Sequence, residues 1–245
     1  MRMVFSNFRR NVMVGLALAA VTVFTACKKD KVDTPDIPAA ALMAFNLSPD
    51  QQSVVVTLSG NMLTNRPLGY TSYTGIYQNI YTGTRTVQAY DYPDNNPLAT
   101  TEYTFDDSTY YSLFVVGAND KYRNVISVDK FDELNANSGN AYIRYVNGIT
   151  DSVNMQNVTI TAAGSSVAND NAAYAGVSEF KAVAPGEVTI TVKGNGVDAT
   201  RTISVGQKNV YTVLLTGVPG ATDETSKVQI RFIQNGTLTD EAGGK

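Results

Sequence analysis

The sequence contains no histidine and a single cysteine, Cys27. That removes Ser-His-Asp triads, histidine-containing zinc sites and the commonest general base from the chemistry open to the chain. Neither a phosphate-binding glycine loop nor a nucleophile elbow is present. Carboxylates remain, and two of them flanking a bond suffice for glycoside hydrolysis. The acidic candidates are Asp106-Asp107, Asp129 with Asp132-Glu133, and Asp223-Glu224. All fall beside strand ends in turn-like contexts, where aspartate serves the backbone, so they are expected to be solvated turn residues. The segment Asp91–Pro97 offers oxygen ligands to a hard cation, but it lacks the spacing of an EF-hand loop and reads equally as a plain turn. The expectation is a non-enzyme with no metal site and no cofactor.

Tyrosine is the other residue type with recognition chemistry. Tyr70, Tyr73, Tyr77 and Tyr81 lie close together in the chain. Their spacing is helical, yet Thr71, Ser72, Thr74 and Gly75 between them make a poor helix. Two readings stand. The rings pack at the edge of a core with their hydroxyls reaching water, or they form an exposed aromatic surface that stacks a sugar or anchors a protein.

The elements that must position these residues are strands. Val, Thr, Tyr and Ile are abundant, with Asn, Asp, Gly and Ser between the apolar runs. Val188–Val192 alternates with aliphatics on one face and threonines on the other, and Tyr211–Leu215 and Val228–Phe232 read similarly, as strands with one face buried. No segment after the leader makes a convincing amphipathic helix, so the fold is expected to be all-β.

The chain also reads as the same unit twice. Tyr111–Gly117 aligns with Tyr211–Gly217, and Ile80–Val87 with Val183–Ile190. Phe45-Asn46 through Asp50 aligns with Val146-Asn147 through Asp151, and the strands that follow end at Gly60 and Gly164. Each copy has the length and turn rhythm of an immunoglobulin-like β-sandwich. The expected organisation is a leader at 1–26, a flexible tether at 27–39, one sandwich at 40–136 and a second at 137–245, with the boundary in the turn-rich run Asn135–Asn140.

The order Asn46, Ser48-Pro49-Asp50, a valine-rich strand, Tyr70 and Tyr73, Gly83 before a strand, and Tyr111 opening another resembles the domain-of-unknown-function family 4397 (DUF4397). The resemblance implies exported bacterial proteins, often with tandem copies behind lipoprotein signals, and no established activity. The second copy has Ile149-Thr150-Asp151 where the first has Ser48-Pro49-Asp50.

The leader supports export. Arg2, Arg9 and Arg10 precede the apolar run Val12–Phe24, which is too short to span a bilayer, where about 20 apolar residues are needed. Thr25-Ala26-Cys27 then resembles the lipobox of bacterial lipoproteins, and Cys27 has no cysteine partner for a disulfide. Lipidation of Cys27 would anchor the chain to a bilayer through more than one acyl chain. The Cys27-Lys28-Lys29-Asp30 start resembles outer-membrane lipoproteins of the Bacteroidota, on either face of that membrane. Removing 1–26 takes the formal charge from −3 to −6, which argues against nucleic acid. The function expected is a membrane-anchored, non-catalytic binding or adhesion module for a glycan or an envelope protein. The alternatives are a structural scaffold subunit and, third, a carboxylate-dependent polysaccharide hydrolase.

Overall fold

The structure, a computed structural model, describes residues 36–151 and 153–239. The leader, the tether up to residue 35 and Cys27 therefore lie outside the described residues. The described first half carries β1 (Ala39–Asn46), β2 (Ser53–Leu58), β3 (Asn61–Met62), β4 (Leu68–Gly69), β5 (Gln78–Tyr81), β6 (Gly83–Asp91), β7 (Pro97–Phe105), β8 (Tyr110–Val116) and β9 (Arg123–Val128). The second carries β10 (Ala141–Ile149), β11 (Gln156–Ala162), β12 (Ser165–Ala172), β13 (Lys181–Val183), β14 (Gly186–Gly194), β15 (Val197–Val205), β16 (Asn209–Gly217) and β17 (Gln229–Thr237). Among the described residues, the only helical pieces are 3-10 turns at Phe131–Glu133 and Ala136–Ser138. The all-β expectation therefore holds.

Each half is a pair of sheets. In the first, an inner sheet β5-β1-β8-β9 faces an outer sheet β3-β2-β6-β7, with β4 also on β2. In the second, an inner sheet β13-β10-β16-β17 faces an outer sheet β12-β11-β14-β15. The two inner sheets then pack on one another, with Met43, Phe45, Leu47, Phe114 and Val116 meeting Val146, Leu214 and Ile233. The order through the unit that runs from Ile37 onward is outer, inner, inner, outer.

This layering explains two kinds of strand sequence. The outer strands alternate: in β11 the residues Val158, Ile160 and Ala162 are buried while Asn157, Thr159 and Thr161 point outward. The central strands of the inner sheets, β1, β8, β10 and β16, are buried on both faces and carry near-continuous apolar runs, as strands paired in parallel within a covered sheet do. In both inner sheets the first strand of the copy pairs in parallel with a late one, β1 with β8 and β10 with β16. On β8, Tyr111, Leu113 and Val115 face their own sandwich, whereas Phe114 and Val116 face the seam. The expectation of one buried face for Tyr211–Leu215 is thereby corrected. Thr212 and Leu214 are buried too, because a second inner sheet covers the face the alternation assigned to solvent.

The repeated residues of the sequence carry the repeated geometry. Asn46 and Asn147 are fully buried, and their side-chain amides replace missing backbone partners. Asn46 Nδ2 donates to the carbonyls of Gln51 and Leu68. Asn147 Nδ2 donates to those of Ala172 and Ala173. The Tyr111 and Tyr211 hydroxyls each accept a backbone N–H five residues upstream, from Asp106 and Gly206, both at 2.9 Å. That is a bond of the tyrosine-corner kind. Gly117 and Gly217 end their strands at φ 128° and 120°, where a Cβ would run into the carbonyl oxygen of Lys121 or Lys227.

Candidate functional site

The seam between the inner sheets gathers most of the tyrosines singled out in the sequence. Tyr70 reaches across it, with its hydroxyl 3.2 Å from Thr216 Oγ1, and burial pushes its phenol above the ordinary range. Tyr73 stacks on Phe45 at 5.4 Å between centroids, and Phe45 stacks in turn on Phe114 at 4.8 Å. Tyr77 sits over the seam with its phenol raised by burial and then by the Asp129 charge, to which its hydroxyl donates. Tyr81 is apart from these three. It is 65% exposed at the end of β5, with the Arg85 guanidinium 5.8 Å from its ring centroid. The four rings thus do not share one exposed face.

Beneath Tyr77 is a buried ion pair. Arg144 Nη1 lies 2.6 Å from Asp129 Oδ1, with both side chains sealed from water. Hydrogen bonds close a ring around this pair. Arg144 Nε donates to Thr212 Oγ1 at 3.1 Å, and Thr212 Oγ1 donates to Asn235 Oδ1 at 2.7 Å. Asn235 Nδ2 donates to the Tyr77 hydroxyl at 3.0 Å, which donates back to Asp129. Ser112 bridges the middle, accepting from Arg144 Nη2 at 2.9 Å and donating to Asp129 Oδ2 at 2.7 Å. Every donor points from the guanidinium toward the carboxylate. Tyr77, Ser112 and Asp129 come from the first half, and Arg144, Thr212 and Asn235 from the second.

Apolar groups keep this ring dry. The Phe180 centroid is 4.4 Å from the Arg144 guanidinium carbon. Tyr77, Tyr110 and Phe131 meet edge to face, and Phe131 touches Phe180 at 5.8 Å. Tyr110 is the most exposed member at 45%, and Tyr77, Phe131 and Phe180 are half-buried. A low-dielectric surround strengthens a satisfied polar network and makes an unpaired member costly.

Asp129 corrects an expectation. Placed among the solvated turn acids by its position after a strand, it is 3% exposed and tied to Arg144. The signal for the pair was Arg144, a lone charge inside the otherwise uncharged run Ala141–Ile149. The other acids behave as turn residues. Asp107 accepts the Ala39 amide at 2.8 Å, and both oxygens of Asp91 are held by Asn96. Asp223 closes its own turn, with the Thr225 hydroxyl first and the Ser226 amide next holding its carboxyl down to about 2. In the Ser48-Pro49-Asp50 motif, Asp50 accepts from the Asn119 amide and the Tyr122 hydroxyl, both at 2.8 Å. Among the described residues no group of three His, Cys, Asp or Glu could hold a metal ion. No described helix is long and apolar enough to cross a membrane.

The family model described as "Domain of unknown function (DUF4397)" matches residues 40–156, the family that the Asn46 to Tyr111 pattern resembles. Its span takes in β1 to β10 and ends beyond residue 136, where the first sandwich is expected to end. No curated protein matches the chain. Among solved structures, it is similar to a family 26 carbohydrate-binding module of Amy13K from Eubacterium rectale, determined with maltoheptaose. That match has 12% identity and a TM-score of 0.23 and covers 82% of this chain and 98% of that one. It is also similar to a candidate cell-adhesion protein from Bacteroides ovatus, at 10% identity and a TM-score of 0.23, covering 84% and 100% of the two chains. A third, from Bacteroides uniformis and of the same description, shares 12% identity at a TM-score of 0.22, covering 80% and 98%. Likeness at this level says nothing about what this chain binds.

Proposed function

We propose that this chain, with its DUF4397 match over residues 40–156, is a cell-envelope lipoprotein that acts as a non-catalytic binding or adhesion module. Cys27 is its acylated first residue, held to the outer membrane, and the tether expected at 27–39 serves as the leash up to Ala39, where β1 begins. Beyond the leash stand two sandwiches of one kind, joined near residue 136. The observation that carries this reading is the seam. The buried pair Arg144 and Asp129, with Tyr77, Thr212 and Asn235, fastens the inner sheets together, so that the two outer sheets face away from each other toward solvent. Side chains with chemical potential are engaged in holding the fold, and the accessible features are broad sheet faces and loops, a layout suited to recognition. Of the four tyrosines, Tyr81 beside Arg85 is the one we retain as ligand-facing.

A scaffold role is the second reading, favoured by the nine-residue strands β7 and β15 at the ends of the outer sheets, whose edges suit pairing with a neighbouring chain. Protease shaving of intact cells, beside a Cys27→Ala control, tests the placement. Digestion of the wild type with release of the control supports a surface module. Protection until the outer membrane is broken moves the reading to a periplasmic scaffold. In-cell cross-linking that traps a stoichiometric protein neighbour favours the scaffold, whereas recovery of monomer only counts against it.

A further inference from the structure

The outer sheet of the second half presents an unusual face. Along β11, β14 and β15 seven of the eleven outward positions are threonine or serine, the others being Asn157, Glu187, Lys193 and Asp198, while the inward positions are mostly aliphatic, with Gln156 and Arg201 among the exceptions. The pairing registers set them in straight rows across the sheet. One row is Asn169, Thr159, Thr191 and Thr200. The next is Ser166, Thr161, Thr189 and Thr202. Neighbours in these rows are about 4.8 Å apart across strands, and successive rows about 6.8 Å apart along them. The hydroxyls are already engaged with one another, Thr189 with Thr202 at 2.9 Å and Thr191 with Thr200 at 3.2 Å. β-branched threonines hold one side-chain orientation, so a ligand meets a surface with little entropy left to lose.

The chemistry of the face restricts its partner. A protein interface is enriched in aromatic residues, Met and Arg at its centre, and these two rows contain none. A phosphate backbone needs clustered cations, and the one lysine at an outward position of these strands, Lys193, is matched by Asp198 at 3.9 Å. A lipid surface needs apolar side chains. What remains is an uncharged ligand that is itself covered in hydroxyls, with C–H groups to lie on the threonine methyls. Beyond the second row, Thr161 and Thr189 border a depression lined also by Ala163-Gly164, Ala184-Pro185 and the carboxylate residue Glu187. That carboxylate accepts hydrogen bonds from hydroxyls and repels anions.

We propose that this outer face, from Thr200 to the depression at Glu187, is a binding surface for neutral polysaccharide. The proposal rests on the binding-module reading and gives that module a surface and a ligand class. The outer sheet of the first half differs. Its outward positions include Glu102 and Met62 as well as Thr84 and Thr104, so it provides the control surface.

The test is native affinity electrophoresis of the full chain through gels containing neutral polysaccharides (amylopectin, galactomannan, xyloglucan and mixed-linkage β-glucan) or the anionic polygalacturonate and alginate. Retardation by at least one neutral polymer and by neither anionic one is expected. Thr191→Arg and Thr202→Arg should each weaken that retardation at least ten-fold, and Thr104→Arg on the first outer sheet should leave it within two-fold. Circular dichroism of the variants checks that the sheets persist. Retardation that survives both Thr191→Arg and Thr202→Arg overturns this surface while leaving the binding-module reading in place. Absence of retardation by every neutral polymer overturns the proposal, and the in-cell cross-linking above then judges the module reading separately.

Discussion

Removing the Asp129 carboxylate should destabilise the protein by more than any single surface change could. In Asp129→Ala, Arg144 keeps its charge at 2% exposure with no counter-ion, and the donors on Ser112 and Tyr77 lose their acceptor. Breaking a buried pair from one side costs about 3–5 kcal/mol, because the remaining ion cannot recover its hydration. Replacing both partners, Asp129→Ala with Arg144→Met, leaves no buried charge. Its cost should fall to about 1–3 kcal/mol, set by the unpaired Thr212, Asn235 and Tyr77. The double variant should therefore be more stable than Asp129→Ala alone, a strongly non-additive cycle. Urea unfolding at neutral pH, followed by tyrosine fluorescence and far-UV circular dichroism, measures all four corners. A loss below about 1 kcal/mol for Asp129→Ala, or a double variant less stable than both singles, would refute the view that a desolvated charge governs the seam.

Other outcomes follow from the same contacts. Asn46→Ala removes a fully buried amide that serves two carbonyls, and it should lower stability by about 1–3 kcal/mol in a denaturant titration. Phe114→Ala at the centre of the seam should cost about 3–5 kcal/mol, whereas Tyr81→Ala should stay within about 0.5 kcal/mol. The phenol of Tyr77 is raised by burial, so its contribution is intact below pH 10 and declines as the medium becomes more alkaline. Alkaline unfolding should be less steep in Tyr77→Phe. Asp151 is held at about 2, first by the Asn154 amide and then by the Asn195 side chain. Its loop contacts are present above an unfolded value of about 3.9 and lost as pH falls through about 2, so exchange of the Val153 and Asn154 amides should accelerate across that window and not in Asp151→Ala.

Much of the fold is legible in the sequence because outer strands advertise themselves. Val188–Val192 alternates strictly and lies in the structure with aliphatics in and threonines out. The residues that match between the two halves are ones whose contacts are structurally constrained. Asn46 and Asn147 supply amides to stranded carbonyls, and Gly117 and Gly217 take backbone angles closed to other residues. The seam was harder to read. Period-two alternation reports whether one face is wet, and it fades when both faces are dry, as in Tyr211–Leu215. Asp129 was hidden by its place after a strand, since a turn acid and a buried counter-ion have the same local sequence. Its partner lies fifteen residues on, in β10, and only the packing of two sheets brings them together. Tyr70, Tyr73 and Tyr77 were visible as a cluster, but helical spacing says nothing about a seam formed with residues more than a hundred positions away.

The parallel pairing inside each inner sheet has a consequence for how the chain acquires its structure. Leu42 pairs with Tyr111 and Ile143 with Tyr211, partners separated by 69 and 68 residues. Contacts this distant in sequence must wait for loop closure, which makes such topologies slow to form. The opening strand of each copy is thus left unpaired on one side until the rest of that copy has been delivered. The seam needs both inner sheets and can assemble only after both copies are closed. Until then Met43, Phe45 and Phe114 form a naked apolar surface on the first copy. A chain stopped at residue 136 should consequently self-associate, visible as a concentration-dependent shift in light scattering, where the intact chain stays dispersed. On that ordering the second half would serve the first as an internal chaperone, arriving late and never leaving.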